Sequence, residues 1–320
     1  MSEQGNATRS AALGRWRALE LRGEDARLWL HRVLSNDVRK LHPGDGAWNL
    51  VLDDRGRIQA LGLLLCEDEQ RFALWSDEGQ RDAWRAKLEF FLFAERVELR
   101  DDDARAALEL AGEGVDAALQ RLLGAELPAR TGAQVEGRIG GVPVRVVRDG
   151  RGRTPRFLVL ATRDELAPLA TALESAGLGA RSDARLALLR LRDGIPSYGA
   201  DLADGVRPAE AGLSYAFDLD KGCYPGQETV ARMDTYGGPP RRLFGLELAL
   251  EAPVPAPGTP LLRAGENVGR SGSCVRDEEA GCQRALVLVA KKAWREGSEL
   301  ELGNGARGTL RELPFAAPQR

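Results

Sequence analysis

The sequence predicts an α+β protein: two successive α/β units followed by a small third unit, a β-barrel. Three observations predict this. Strand-like and helix-like periodicities alternate through the first half of the chain. A similar order of elements restarts near Ala107, which points to an internal duplication. Beyond the proline-punctuated stretch at Pro253, Pro255, Pro257 and Pro260, helical patterns give way to short strand-like pieces with frequent glycines. The expected units are residues 1–103, 104–243 and 244–320.

In order, Arg17 to Leu21 alternates as a strand. Ala26, Trp29, Leu30, Val33 and Leu34 then share one helical face. Trp48 to Leu52 and Ile58 to Leu65 read as strands joined by the turn Asp53-Asp54-Arg55-Gly56, and Arg71 to Trp75 as a third. Ser76 offers a cap for a helix carrying Trp84, Leu88 and Phe91, and Val97 to Leu99 returns to strand. The second round has a strand at Ala107 to Ala111 and a helical stripe of Val115, Ala118, Leu119 and Leu122. A strand pair follows, Val142 to Val147 and Phe157 to Ala161, around the Gly/Arg-rich turn at 149–153. Thr162 with Glu165 spells a capping box for the next helix. Leu261-Leu262, Asn267 to Ser271, Ala285 to Ala290 and Leu300 to Leu302 are the barrel strands.

Composition excludes several classes of function. Hydrophobic residues make up 43% of the 320 residues and charged residues 29%, enough for a substantial core and too much charge for a membrane-spanning chain. The polar opening, Met1 to Ser10, lacks an apolar signal core, so the Asn6-Ala7-Thr8 sequon reads as accidental and the expected setting is the cytoplasm. A net charge of −3 argues against direct nucleic-acid binding, and Arg151, Arg153 and Arg156 read as a solvated hairpin. Cys66, Cys223, Cys274 and Cys282 contain no CxxC spacing, and with only His31 and His42 no metal site is expected.

One segment carries specific chemistry. In Lys221-Gly222-Cys223-Tyr224-Pro225-Gly226-Gln227-Glu228 the glycines permit tight turns, which puts Cys223 on an ordered loop. Two readings stand: a thiol activated by the Lys221 ammonium beside it, or a small buried side chain. Gln227 and Glu228 read as loop-stabilising groups. The run KGCYPGQE resembles the signature of the YgfZ family of folate-binding proteins, relatives of the glycine-cleavage aminomethyltransferases. Matches elsewhere follow in order: Leu21 to Ala26 with Leu34-Ser35-Asn36-Asp37, Gly56-Arg57-Ile58, Arg190 to Pro196, Pro208-Ala209-Glu210, Val230-Ala231-Arg232, Arg241-Arg242-Leu243 and Val268 to Ser271.

The resemblance implies three domains around a central channel that holds tetrahydrofolate or a derivative. It also implies a role in making or repairing iron–sulfur proteins, including enzymes that thiolate tRNA. The partners would be the iron–sulfur assembly machinery or its client enzymes. Cys223 and Lys221 are then the reactive pair. For a pterin, Trp16 and Tyr198 are candidate walls and Glu210 the candidate carboxylate; each also reads as a packing or loop residue. Arg232 and Arg241, with Arg242, are candidate partners for the folate tail carboxylates, or surface arginines. Cys66, Cys274 and Cys282 read as structural. Two alternatives compete: a folate-dependent aminomethyl or one-carbon transferase, and a non-catalytic scaffold. The transferase faces a difficulty. The resemblance implies an Asp pair in the strand after the Gly-rich hairpin, where this chain reads Gln59-Ala60-Leu61.

Overall fold

A computed structural model describes residues 9–13, 16–178, 183–203, 205–235 and 237–316. The sequon at Asn6 to Thr8 and one of the four tyrosines, Tyr236, lie outside these residues. They fall into two compact units: Met1–Asp54, Gln59–Leu186 and Tyr215–Pro225 in the first, and Arg55–Ile58, Ala187–Ser214 and Gly226–Arg320 in the second.

The first unit contains two five-stranded antiparallel sheets built from the same pattern twice. The first round runs β1 (Arg9–Leu13), β2 (Trp16–Arg22), α1 (Ala26–Val33), β3 (Gly46–Leu52), β4 (Ile58–Cys66), β5 (Arg71–Asp77) and α2 (Arg81–Phe90). The second runs β6 (Glu98–Asp102), β7 (Arg105–Gly112), α3 (Val115–Leu123), β8 (Gln134–Ile139), β9 (Val142–Arg148), β10 (Arg156–Thr162) and α4 (Leu166–Ser175). The sheet orders are β3-β4-β5-β2-β6 and β8-β9-β10-β7-β1. In each round the last strand returns beside the second, β5 on β2 and β10 on β7. The leading strands are exchanged. β1 pairs with β7 (Arg9 opposite Gly112 through Leu13 opposite Leu108), while β6 pairs with β2 (Arg22 opposite Glu98 through Ala18 opposite Asp102).

Sequence and structure differ at three informative places in this unit. β8 is absent from the sequence reading, although Gln134, Glu136 and Arg138 alternate with Val135, Gly137 and Ile139 at a sheet edge. Ser76 does not cap α2; it is buried inside β5 opposite Arg17, and the N-cap is Gln80, four residues later, with the helix beginning at Arg81. The Thr162 hydroxyl, expected to cap a backbone N–H, instead pairs with the Glu165 carboxylate at 2.7 Å, and a short 3-10 turn precedes α4.

Both sheets are buried on both faces. Helices α1 and α2 cover the face of Leu19, Leu21, Leu64, Phe72 and Leu74, while α3 and α4 cover that of Leu108, Leu110, Phe157 and Val159. The alternating residues on the opposite faces are closed to solvent too: Ala18, Leu63, Leu65, Ala73 and Trp75 in one sheet, and Ala107, Ala111, Leu158 and Leu160 in the other. These helix-free faces also carry polar residues, and the candidate site is built there.

The second unit holds most of α5 (Asp183–Arg192), α6 (Gln227–Thr235) and a closed barrel of order β11-β14-β13-β12-β15-β16. Its strands are β11 (Arg241–Ala249), β12 (Pro260–Arg263), β13 (Glu266–Asp277), β14 (Cys282–Ala290), β15 (Glu299–Leu302) and β16 (Arg307–Arg311). Residues 243 and 244, where the sequence suggested that the barrel begins, lie inside β11. Gly245 has a packing reason: a Cβ there would lie 2.3 Å from the Phe315 ring, which packs with Leu191, Leu243 and Leu286.

Candidate functional site

In the first unit, the helix-free sheet faces bring together Trp16 (β2), Trp48 (β3), Glu109 (β7) and Arg156 (β10), with Asp149 and Arg151 from the turn between β9 and β10 and Tyr215 from the segment before the signature. Trp16 and Trp48 have ring centroids 5.9 Å apart, and Tyr215 meets Trp48 edge-on at 6.4 Å. Two hydrogen bonds tie the sheets here. Trp16 Nε1 donates to Glu109 Oε2 at 3.2 Å, and Trp48 Nε1 to the Asp149 carbonyl at 2.9 Å. Arg156 Nη1 donates to Glu109 Oε1 at 2.5 Å.

Arg151 completes the cluster. Its Nε and Nη2 donate to the two Asp149 oxygens at 2.7 and 2.8 Å, and its guanidinium carbon sits 3.7 Å from the Trp48 ring centroid and 6.0 Å from that of Trp16. Burial works against its charge, but the Asp149 carboxylate outweighs burial and holds the guanidinium protonated above its usual range. Burial pushes the Tyr215 phenol up to about 12, although one edge of the residue remains exposed. The turn itself is fixed by close backbone approach. Gly150 has φ +74° and its missing Cβ would fall 1.9 Å from Thr131 Oγ1, so no other residue fits there. The arginine-rich turn read as solvated is therefore inward-facing at Arg151 and Arg156. The reason is local: the buried Asp149 and the half-buried Glu109 supply counter-charges.

The signature loop is organised differently from expectation. Lys221 is buried, and its Nζ donates to the carbonyls of His31 and Leu34 at the C-terminal end of α1. Those carbonyls have no partner within the helix, so the ammonium serves as its C-cap. Burial lowers the Lys221 pKa to about 8. The Lys221 carbonyl in turn faces His31 Nε2 at 3.0 Å and accepts from Arg39 Nη2 at 3.2 Å. Burial, with the Lys221 and Arg39 charges, lowers the His31 pKa against the opposing pull of Asp37, whose carboxylate lies 3.0 Å from Nδ1. Lys221 is thus engaged with α1, and Cys223, two residues on, is exposed. The other thiols are more enclosed: burial raises the pKa of Cys66, of Cys282, and of Cys274 to about 11.

The remaining predicted site residues belong to the second unit. Glu210 is fully buried and saturated: Arg241 Nε donates to Oε1 at 2.8 Å, and Arg241 Nη2 and the Arg207 N–H both reach Oε2 at 2.9 Å. The carboxylate expected to meet a pterin and the guanidinium expected to meet a folate tail are paired with each other. A 3-10 turn (Pro208–Ala211) needs its leading N–H capped, and β11 brings a cation to the carboxylate that does so. Tyr198 is half-buried, and burial raises its pKa. Arg232 forms an i,i+4 pair with Glu228 on α6, 73% of its side chain remaining exposed. Arg242 pairs with Glu312 and lies over Phe244.

Sequence reasoning missed Glu109, Asp149, Trp48 and Tyr215 as site residues, and read Arg151 and Arg156 as solvated. A signal existed for Glu109: it is the one acid within the apolar strand Ala106 to Ala111, on the parity opposite Leu108 and Leu110.

The cluster lies within a stretch that matches a known family. The GCVT N-terminal domain model aligns with residues 13–221, more than half of the chain. The chain belongs to the GCVT family. This GCVT protein is 31% identical to an aminomethyltransferase of Symbiobacterium thermophilum, over 92% of its own length and 83% of the relative's. An aminomethyltransferase of Geobacillus kaustophilus is 28% identical over the same shares. A putative chloroplastic transferase of Arabidopsis thaliana is 24% identical over 94% of this chain and 69% of the relative. The solved structure of glycine cleavage system aminomethyltransferase T from Bartonella henselae shares the fold, with a TM-score of 0.82 at 22% identity over 98% of this GCVT chain and 87% of the other. Among the described residues, no helix is long and apolar enough to cross a membrane.

Proposed function

We propose that this GCVT protein binds a reduced folate at the aromatic–carboxylate cluster of its first unit and serves as an accessory protein for iron–sulfur cluster assembly or repair. The supporting observation is the donor set. A tetrahydropterin offers a flat face and an edge of N–H donors; Trp16, Trp48 and Tyr215 supply ring surfaces, and Glu109 and Asp149 supply acceptors. A bound tetrahydrofolate would contribute a reduced one-carbon carrier. The chain's own groups would orient it by stacking and hydrogen bonding. Of the tail candidates, both in the second unit, Arg241 is committed to Glu210 and Arg232 pairs with Glu228.

In this reading Cys223 makes transient contact with iron or sulfur of a client, and Lys221 acts by holding the loop to α1. The effect on tRNA thiolation runs through an iron–sulfur client. The names of the relatives favour a second reading, a folate-dependent transferase. Against it, β4 carries Gln59, Ala60 and Leu61 where the resemblance implies an acidic pair, and removing a positioned carboxylate typically costs orders of magnitude in rate. Cells lacking the protein test the proposal. Iron–sulfur enzyme activity should fall, return with the wild type and stay low with Cys223→Ala. Full restoration by Cys223→Ala would refute the thiol's role, and unchanged activity in the deletion would refute the iron–sulfur role.

A further inference from the structure

The geometry points to Arg151 as a tethered occupant of the aromatic–carboxylate cluster: its guanidinium fills the place where a planar, guanidine-like edge of a ligand binds, and ligand entry requires its displacement. This inference rests on the proposed folate reading only for the identity of the natural ligand.

Three features support it. First, the guanidinium is held as a ligand would be, with two parallel N–H···O bonds to Asp149 in its plane and the Trp48 ring against its face at 3.7 Å. Second, the guanidinium at position 151 serves the buried Asp149 carboxylate and not the backbone of the turn. The turn is shaped by Gly150 and by the Asp149 N–H donating to the Arg156 carbonyl, and the sheets are joined by the Trp16 and Trp48 indole N–H groups. Third, the 2-amino-4-oxo-pyrimidine edge of a pterin is an N–C–N fragment with the same planar donor pattern as a guanidinium, so the two compete for one carboxylate and one ring face.

The occupant sits on a short turn between β9 and β10, closed by the Asp149–Arg156 backbone bond. Rotation of its side chain uncovers the Trp48 face and releases both side-chain bonds to Asp149 without unpairing a strand, while the Arg151 backbone N–H keeps its 3.1 Å bond to Asp149 Oδ1. The apparent affinity for a ligand is then reduced by the fraction of time that Arg151 is seated. Arg151 is a specificity-determining residue in this account. Ligands that lack a planar N–H edge gain nothing from displacing it.

The test compares wild type with Arg151→Ala, each checked for cooperative thermal unfolding, by tryptophan fluorescence and thermal shift during titration with guanidinium ion at low millimolar concentrations. Arg151→Ala should show a saturable response that Asp149→Asn in the same background abolishes, and the wild type should show none. In parallel calorimetry, Arg151→Ala should bind tetrahydrofolate about tenfold more tightly than wild type, the expected gain from removing a seated competitor. No saturable guanidinium response, or weaker tetrahydrofolate binding by the variant, would overturn the inference. If Arg151→Ala does not fold, Arg151→Gln replaces it, since it keeps side-chain bulk without the bidentate pair. A guanidinium response without tetrahydrofolate binding to either protein would sink the folate reading and leave the tethered-occupant inference standing.

Discussion

Two buried carboxylates in this molecule, Asp149 in the first unit and Glu210 in the second, each take a two-pronged arginine, yet their surroundings give them different work. Glu210 takes Arg241 and also caps the backbone at Arg207, so its bonds close a turn and brace it to a strand. Asp149 takes Arg151, whose guanidinium lies on a tryptophan face beside a second ring and a second carboxylate. The ion-pair chemistry is the same, but only Asp149 stands next to ring surface that suits a planar ligand. A buried ion pair alone is weak evidence of function; its neighbours decide.

Removing each carboxylate sharpens this contrast. Asp149→Ala should be the more damaging, costing about 3–5 kcal/mol in urea unfolding, because the Arg151 backbone N–H loses its acceptor and the guanidinium must either leave the Trp48 face or stay there unpaired. Glu210→Ala should cost about 2–4 kcal/mol, since Arg241 keeps a third of its side chain exposed and can turn to water while the Arg207 N–H loses its acceptor. Equal sensitivity of tetrahydrofolate binding to the two substitutions, in proteins that remain folded, would erase the distinction.

A smaller effect concerns the signature loop. The Lys221 pKa is lowered to about 8 in the folded protein against 10.5 for a free lysine, so the unfolded chain binds the proton more tightly. Stability should therefore rise with pH between about 8 and 10, by up to about 2–3 kcal/mol relative to Lys221→Met, which lacks the titrating group. A flat difference across that window would mean that the ammonium is solvated. Smallest of all, Cys223→Ala should change stability by no more than about 0.5 kcal/mol, because the side chain is exposed. A larger loss by thermal unfolding would make Cys223 a packing residue after all.

Much of the fold was legible because its signals are local. The stripe of Trp29, Leu30 and Val33 in α1 and the apolar runs of β4 and β14 survive into the structure with small boundary shifts. The repeated order of elements was legible too, but the exchange of β1 and β6 between sheets was not, since strand pairing leaves no local mark. The candidate site was less readable. Lys221 and Cys223 stand out as a motif, but only the distant α1 carbonyls show where the ammonium goes. Glu210 and Arg241 looked like separate ligand contacts because nothing 31 residues apart in sequence announces an ion pair. Arg151 and Arg156 sit in a run whose composition suggests solvent, and only Asp149 and Glu109 turn them inward.

The central claim is that the first unit's cluster recognises a reduced folate, and anaerobic calorimetry with tetrahydrofolate tests it most directly. The proteins to compare are wild type, Glu109→Gln, which keeps shape but removes the charge, and Glu210→Gln as the structural control. The account predicts one-to-one binding by the wild type, binding weakened about tenfold or more by Glu109→Gln as a charge-assisted hydrogen bond is lost, and little change in Glu210→Gln. Absence of binding by the wild type, or binding that Glu109→Gln leaves untouched, would contradict it.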